Sequence, residues 1–179
     1  MLFQPAKVPF KVISTLFKSH WVRCDMVVLF PCSLFGAYRY RNPLPWDTDV
    51  DFFLRAEELE KINITDFMHQ FQQKGFNIFY SYWSGAYKIE RRYAHGDLYI
   101  YKNYSGTMQR IGLESYVFFI NYKMYYQFPA ERIEKPLEHV EFCGVQMNAP
   151  RGGLEFQKYL YVDWNVEKKP KGCENLGTL

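Results

Sequence analysis

Cysteine is sparse in this chain: four in 179 residues, at Cys24, Cys32, Cys143 and Cys173. No CxxC pair and no Cys/His spacing of a zinc site occurs, which excludes a zinc finger or ribbon. An even number permits disulfides in an oxidising compartment without requiring them. Long apolar runs are missing too. The longest, Met26 to Phe35, is broken by Pro31. A bilayer span needs about 20 apolar residues, so this run reads as a buried strand followed by a turn. The N-terminus lacks the compact apolar block and small-residue cleavage site of a signal peptide. There are no internal repeats and no low-complexity linker, which excludes solenoid and fibrous architectures. Charge of one sign is weak: net +3, pI near 8.6. An RNA-acting protein would need a basic groove, and the scattered lysines do not supply one.

What remains is a globular composition, 48% hydrophobic and 23% charged. At about 150 residues per domain the length predicts one domain, placed over residues 1–167 with a loose polar tail over 168–179. The unusual figure is 15 Tyr, 16 Phe and 4 Trp. Most of these rings read as core, the tyrosines wherever an apolar body needs a polar tip. Phe76, Tyr80, Tyr82, Trp83 and Tyr87 could line a cleft that stacks on a sugar or a base. Asn63-Ile64-Thr65 and Asn103-Tyr104-Ser105 are glycosylation sequons, a pattern that chance also supplies.

Helical spacing predicts an amphipathic helix over residues 9–22. Met26–Phe30 reads as a buried strand, with Ser33 capping a helix through Arg39. Asn42-Pro43-Leu44-Pro45 must break that helix. Asp49–Leu54 reads as a strand and residues 55–61 as a helix. Thr65 caps a further helix through Lys74 that stops at Gly75. Phe76–Trp83 and Ala86–Tyr93 form a hairpin about Ser84-Gly85, and Asp97–Tyr101 is a third strand. Residues 113–127 fit helix or strand equally. From Phe128 the chain turns irregular, with a last helix over Leu154–Tyr161. The order predicts an α/β (α+β) fold, a mixed sheet flanked by helices.

Charge swings sharply within this plan. Residues 1–46 carry six Lys/Arg against Asp25 alone, and residues 47–60 carry six acids against Arg55. At the swing lies Pro45-Trp46-Asp47-Thr48-Asp49-Val50-Asp51. Alternate strand residues share a face, so Asp49 and Asp51, with Asp47 if the strand reaches it, point the same way. Adjacent carboxylates repel unless one is protonated or a cation sits between them. Oxygen-only ligands suit Mg²⁺ or Mn²⁺, above all with a phosphate completing the shell. An exposed acidic edge is the rival reading, and Val50, Phe52, Phe53 and Leu54 argue against it. Upstream, Cys32-Ser33-Leu34-Phe35-Gly36-Ala37-Tyr38-Arg39 forms a small-residue turn at a helix start. Its free N–H groups suit a phosphate, with Arg39 and Arg41 adding forked donors.

These two segments resemble the LicD/fukutin family of nucleotidyltransferase-fold proteins. The matching residues are Ser33, Leu34, Phe35, Gly36, Ala37 and Arg39, then Pro45, Trp46, Asp47, Asp49, Val50 and Asp51. The chain departs from the family pattern at Cys32, where glycine is usual. His95-Gly96-Asp97-Leu98-Tyr99 fits the family's third carboxylate on a neighbouring strand. Weaker echoes, such as Phe142-Cys143-Gly144-Val145 and Asp163-Trp164, extend the resemblance over about residues 10–164.

The resemblance implies a nucleotidyltransferase-like fold and transfer of a phospho-alcohol, phosphoribitol or phosphocholine in kind, from a CDP-linked donor to a glycan hydroxyl. Asp49 and Asp51 would hold the divalent metal, with Asp47 or Asp97 closing the shell. Ser33, Gly36, Arg39 and Arg41 would steady the donor phosphates. Asp97 would serve as third ligand or general base, and His95 is a weaker candidate for the base. The expected partners are a nucleotide-diphosphate donor and a glycan acceptor, with no nucleic acid and no transmembrane segment. The family points to the Golgi or secretory lumen, the cytoplasm being the alternative. The rival functions are a non-catalytic glycan-binding module on the same fold and an RNA nucleotidyltransferase.

Overall fold

The structure, a computed structural model, describes residues 27–92, 94–117, 127–161, 163–167, 169 and 171. The helix expected over residues 9–22 and most of the expected tail lie outside them. The elements run β1 (Val28–Leu29), α1 (Pro31–Tyr40), β2 (Asp49–Arg55), α2 (Ala56–Leu59), α3 (Ile64–Gln73), β3 (Asn77–Ser81), β4 (Ala86–Arg91), β5 (Ala94–Tyr104) and β6 (Thr107–Arg110). There follow α4 (Leu113–Val117), β7 (Gln127–Pro129), β8 (Glu138–Phe142) and β9 (Val145–Ala149). Short 3-10 turns cover Ala130–Ile133 and Gly153–Tyr159.

One nine-stranded mixed sheet has the order β3-β4-β5-β2-β1-β9-β8, with β6 pairing β5 and β7. The pairings β2–β5 and β1–β9 are parallel and the others antiparallel. The expected mixed α/β fold is therefore the observed one. The strands are apolar on both faces where they are covered. Val50, Phe52, Phe53 and Leu54 are all fully buried. On one face, Phe67 of α3 packs edge-on against Tyr87 of β4. On the other, Phe53 and Tyr101 pack against Phe30 and Phe128, and Phe128 against Phe156.

Several local expectations shift. Phe128 onward is not irregular, because β7, β8 and β9 form there; short strands broken by Pro136 and a Cys143-Gly144 turn leave little periodicity to read. The α3 cap is Asn63, whose side chain accepts from the Thr65 and Asp66 N–H groups. The last helical segment is 3-10 rather than α. Among the described residues no helix is long and apolar enough to cross a membrane.

Gly85 closes the β3–β4 hairpin with a φ of +61°. A side chain there would meet the Ile111 carbonyl oxygen at 1.8 Å, because the segment after β6 crosses directly over the hairpin tip. Strain and overlap act together at this point. Gly85→Ala should cost about 3 kcal/mol or more of unfolding free energy in urea titration. A loss under about 1 kcal/mol would mean that the crossing is looser than described.

Candidate functional site

The site begins where β1 ends. Pro31 follows Phe30, brings no N–H and starts α1 at its first position. The chain therefore leaves the sheet after two strand residues. That exit deprives β2 of a strand partner beside Asp51. Phe30 N–H still donates to the Asp51 carbonyl at 3.0 Å, and the Asp51 N–H donates instead to Ser33 Oγ at 2.8 Å. An orphaned backbone N–H in this place would be costly. Ser33 is thus not the helix cap its sequence position predicts. It sits inside the first turn, buried, and completes the ladder of β2 from the helix side.

The carboxylates come together through register. In the parallel β2–β5 pair, Asp49 lies opposite His95 and Asp51 opposite Asp97. In the antiparallel β4–β5 pair, Lys88 lies opposite Asp97 and Glu90 opposite His95. Lys88, Asp97 and Asp51 therefore form a row across three strands on one face. Asp47 precedes β2, in a turn closed by its N–H to the Leu44 carbonyl at 2.9 Å. Its Oδ1 accepts from the Thr48 N–H at 3.1 Å, and its carboxyl lies close enough to Asp49 to be shifted by that charge. His95 is exposed.

Beside the row, further along the same face, lies an aromatic cluster: Phe53, Tyr99 and Tyr101, with Phe30 packed on all three at centroid distances of 5.3 to 5.8 Å. Burial pushes the Asp51 carboxyl well above the usual range, and the charges of Asp49, Asp97 and Asp47 push it further, against Lys88. Asp51 Oδ1 is buried and has no hydrogen-bond partner. Burial and then Asp49 raise the Asp47 carboxyl to about 7.

Around Asp97 the arrangement is different. Lys88 Nζ donates to Asp97 Oδ2 at 2.6 Å, and the Tyr99 hydroxyl donates to the same oxygen at 2.9 Å. Arg110 lies 4.3 Å over the Tyr99 ring and pairs with Glu114 at 2.9 Å. Burial first, then the neighbouring carboxylates, hold the Tyr99 phenol far above its ordinary value. On the other flank Cys32 Sγ meets the Tyr161 hydroxyl at 3.5 Å, and burial lifts the thiol to about 11. Cys32 does not have a positive φ, so the backbone here makes no conformational demand for the glycine usual at that place. Cys32 is a free thiol.

Lys88, Tyr99, Arg110 and Tyr161 escaped the sequence reading. A lysine within an apolar hairpin strand was the one available signal for Lys88; Tyr99 and Tyr161 stand in aromatic runs that read as core, and nothing local marks Arg110.

Do these residues suit a divalent metal? Among the described residues no three His, Cys, Asp or Glu side chains converge as a ready-made ligand set. Mg²⁺, however, is commonly held by one or two carboxylates, with phosphates and water completing an octahedron. Asp49 and Asp51 provide such a pair, and the unpartnered Asp51 Oδ1 is a hard oxygen lacking the partner that burial requires. The donor set fits Mg²⁺ or Mn²⁺.

The expected phosphate-binding residues are dispersed. Gly36 lies within α1, where a Cβ would sit 2.4 Å from the Asn42 carbonyl oxygen and 2.9 Å from the Leu44 nitrogen. Its smallness lets the 42–44 loop fold back on the helix, which brings Asp47 home. Arg39 pairs with Glu167 at 3.8 Å and lies over Phe35. Arg41, at the left-handed C-cap of α1, pairs with Glu141 at 3.5 Å. Among the described residues no contact joins either arginine to the four aspartates. The N–H groups of Cys32 and Ser33, in the first turn of α1, have no intrahelical partner. Of the five rings expected to line a cleft, Tyr80 packs against Tyr82 and Tyr87 at 5.0 Å each, Phe76 and Tyr87 are buried, and Tyr82 and Trp83 are 78% and 52% exposed.

A family model described as LicD/FKTN/FKRP, nucleotidyltransferase domain, matches residues 27–152. The matched segment runs from β1 to just past β9 and includes all four aspartates and Lys88. No curated protein matches the chain.

Asp51 and Asp47 hold protons more tightly in the folded protein than in the unfolded chain. Between the ordinary carboxylate range and about pH 7 the folded state then binds more protons, so their contribution to stability is present at low pH and lost as pH rises. Metal-free Asp51→Asn should therefore melt higher than metal-free wild type at about pH 8, and the gap should close towards about pH 4. A variant less stable than wild type at the higher pH would contradict this charge arrangement.

Proposed function

The chain belongs to the LicD/FKTN/FKRP nucleotidyltransferase-domain family, and from that premise we propose that it is a metal-dependent transferase moving a phospho-alcohol from a CDP-linked donor to a glycan hydroxyl. Membership suggests a transferase of the LicD/FKTN kind. The observation that carries the finer reading is Asp51, a desolvated carboxylate with an unpartnered oxygen, flanked by Asp49 and Asp97. A merely structural strand would not keep such a group.

In this reading Asp49 and Asp51 would hold Mg²⁺ or Mn²⁺, with Asp47 or Asp97 as a further ligand. The bound ion would neutralise charge on the leaving nucleotide and polarise the phosphorus centre. Ser33 fixes the Asp51 backbone, so the metal-facing carboxylate stays in place as the donor arrives. The N–H groups of the first α1 turn offer donors to phosphate oxygens. Asp97 is aimed by Lys88 and Tyr99, which both bond Oδ2. Its Oδ1, not taken by those bonds, is the atom that would accept the proton of the attacking hydroxyl.

Asp49→Asn and Asp51→Asn should each cut divalent-metal-dependent transfer from CDP-alcohols to below about 1% of wild type, since several kcal/mol of charge stabilisation is removed. Both should keep wild-type circular dichroism. Full activity in both variants would refute the proposed role.

A further inference from the structure

We propose that Lys88 is a built-in second cation of this site, so that the aspartate row takes up one divalent ion rather than two. The inference rests on the metal-binding reading above and concerns how many ions that site accepts. Its basis is an asymmetry between two carboxylates that sit side by side. Asp51 Oδ1 is buried and without a hydrogen-bond partner. Asp97 Oδ2, one strand away, already receives the Lys88 ammonium at 2.6 Å and the Tyr99 hydroxyl at 2.9 Å.

Two-metal phosphoryl-transfer sites set their ions roughly 3.5–4 Å apart, with carboxylates of neighbouring strands shared between them. A second ion at Asp97 would have to displace two donors from Oδ2 and then lie within a few ångströms of an ammonium. The ammonium cannot readily withdraw. It is delivered by the β4–β5 register, which sets Lys88 directly opposite Asp97. Its side chain is 30% exposed and lies 5.9 Å from the Tyr99 ring centroid. The ring face attracts the same cation, and Tyr99 is in turn covered by Arg110 at 4.3 Å. Positive charge is thus already supplied on the Asp97 side of the row and lacking at Asp51 Oδ1. A single divalent ion restores the balance on the Asp51 side, and Lys88 does so beside Asp97.

The test counts ions. Mn²⁺ bound per chain is measured by electron paramagnetic resonance of free Mn²⁺ in the presence of CDP, for wild type, Lys88→Arg and Lys88→Met. The expected values are one ion in wild type, one in Lys88→Arg, which keeps the charge, and two in Lys88→Met. Lys88→Gln replaces Lys88→Met if the latter fails to fold, with the same expected count. Two ions in wild type, or one in the neutral variant, overturns the inference while leaving metal binding intact. No bound Mn²⁺ in wild type overturns the metal reading itself and this inference with it.

Discussion

Parallel pairing of β2 with β5, residue by residue from Asp49–His95 to Arg55–Tyr101, sets Asp51 beside Asp97. Neighbouring strands lie about 4.8 Å apart, and two carboxylates at that spacing repel strongly once water is withdrawn. The rest of the site responds to that repulsion. Lys88 answers it at Asp97. Burial answers it at Asp51 and Asp47 by favouring the protonated forms. In the proposed function a divalent ion would be the remaining answer, and it is the one that a phosphate-bearing substrate could use.

The same constraint gives the aromatic residues a purpose beyond packing. Phe30, Phe53, Tyr99 and Tyr101 pack as one apolar cluster beside the carboxylates on the same face, a setting that strengthens the interactions of charges next to it. Phe30 is also the last residue before Pro31 turns the chain into α1. One short segment therefore joins that cluster, ends β1 and delivers Ser33 to the Asp51 amide. Position and electrostatics share the same few residues. Gly36 extends the arrangement by letting the 42–44 loop lie against α1 on its way to Asp47.

Much of this was legible in the sequence, for identifiable reasons. The Asp49-Val50-Asp51 alternation fixed a shared face because strand side chains have a period of two. The hairpin was legible because Gly85 offered the turn chemistry it needs. The α/β class followed from the order of elements. Cross-strand partners were not legible. Nothing local to Lys88 announces Asp97, since that pairing depends on the register of a hairpin with a later strand. Ser33 misled for a related reason. A serine near a helix start satisfies an amide, but here the amide belongs to Asp51, eighteen positions away. The hairpin rings were legible in part: Tyr80, Tyr82 and Tyr87 pack together, whereas Phe76 packs on Phe71 and Trp83 stands in the exposed turn.

Whether a divalent ion resides on the Asp49–Asp51 face is the centre of this account. The most direct measurement is anomalous diffraction at the manganese edge from crystals grown with Mn²⁺ and CDP. The account predicts a peak within coordination distance of Asp51 Oδ1 and an oxygen of Asp49, with CDP phosphate oxygens completing the shell. CDP bound with no peak there, or a peak only at other surface acids, would contradict it.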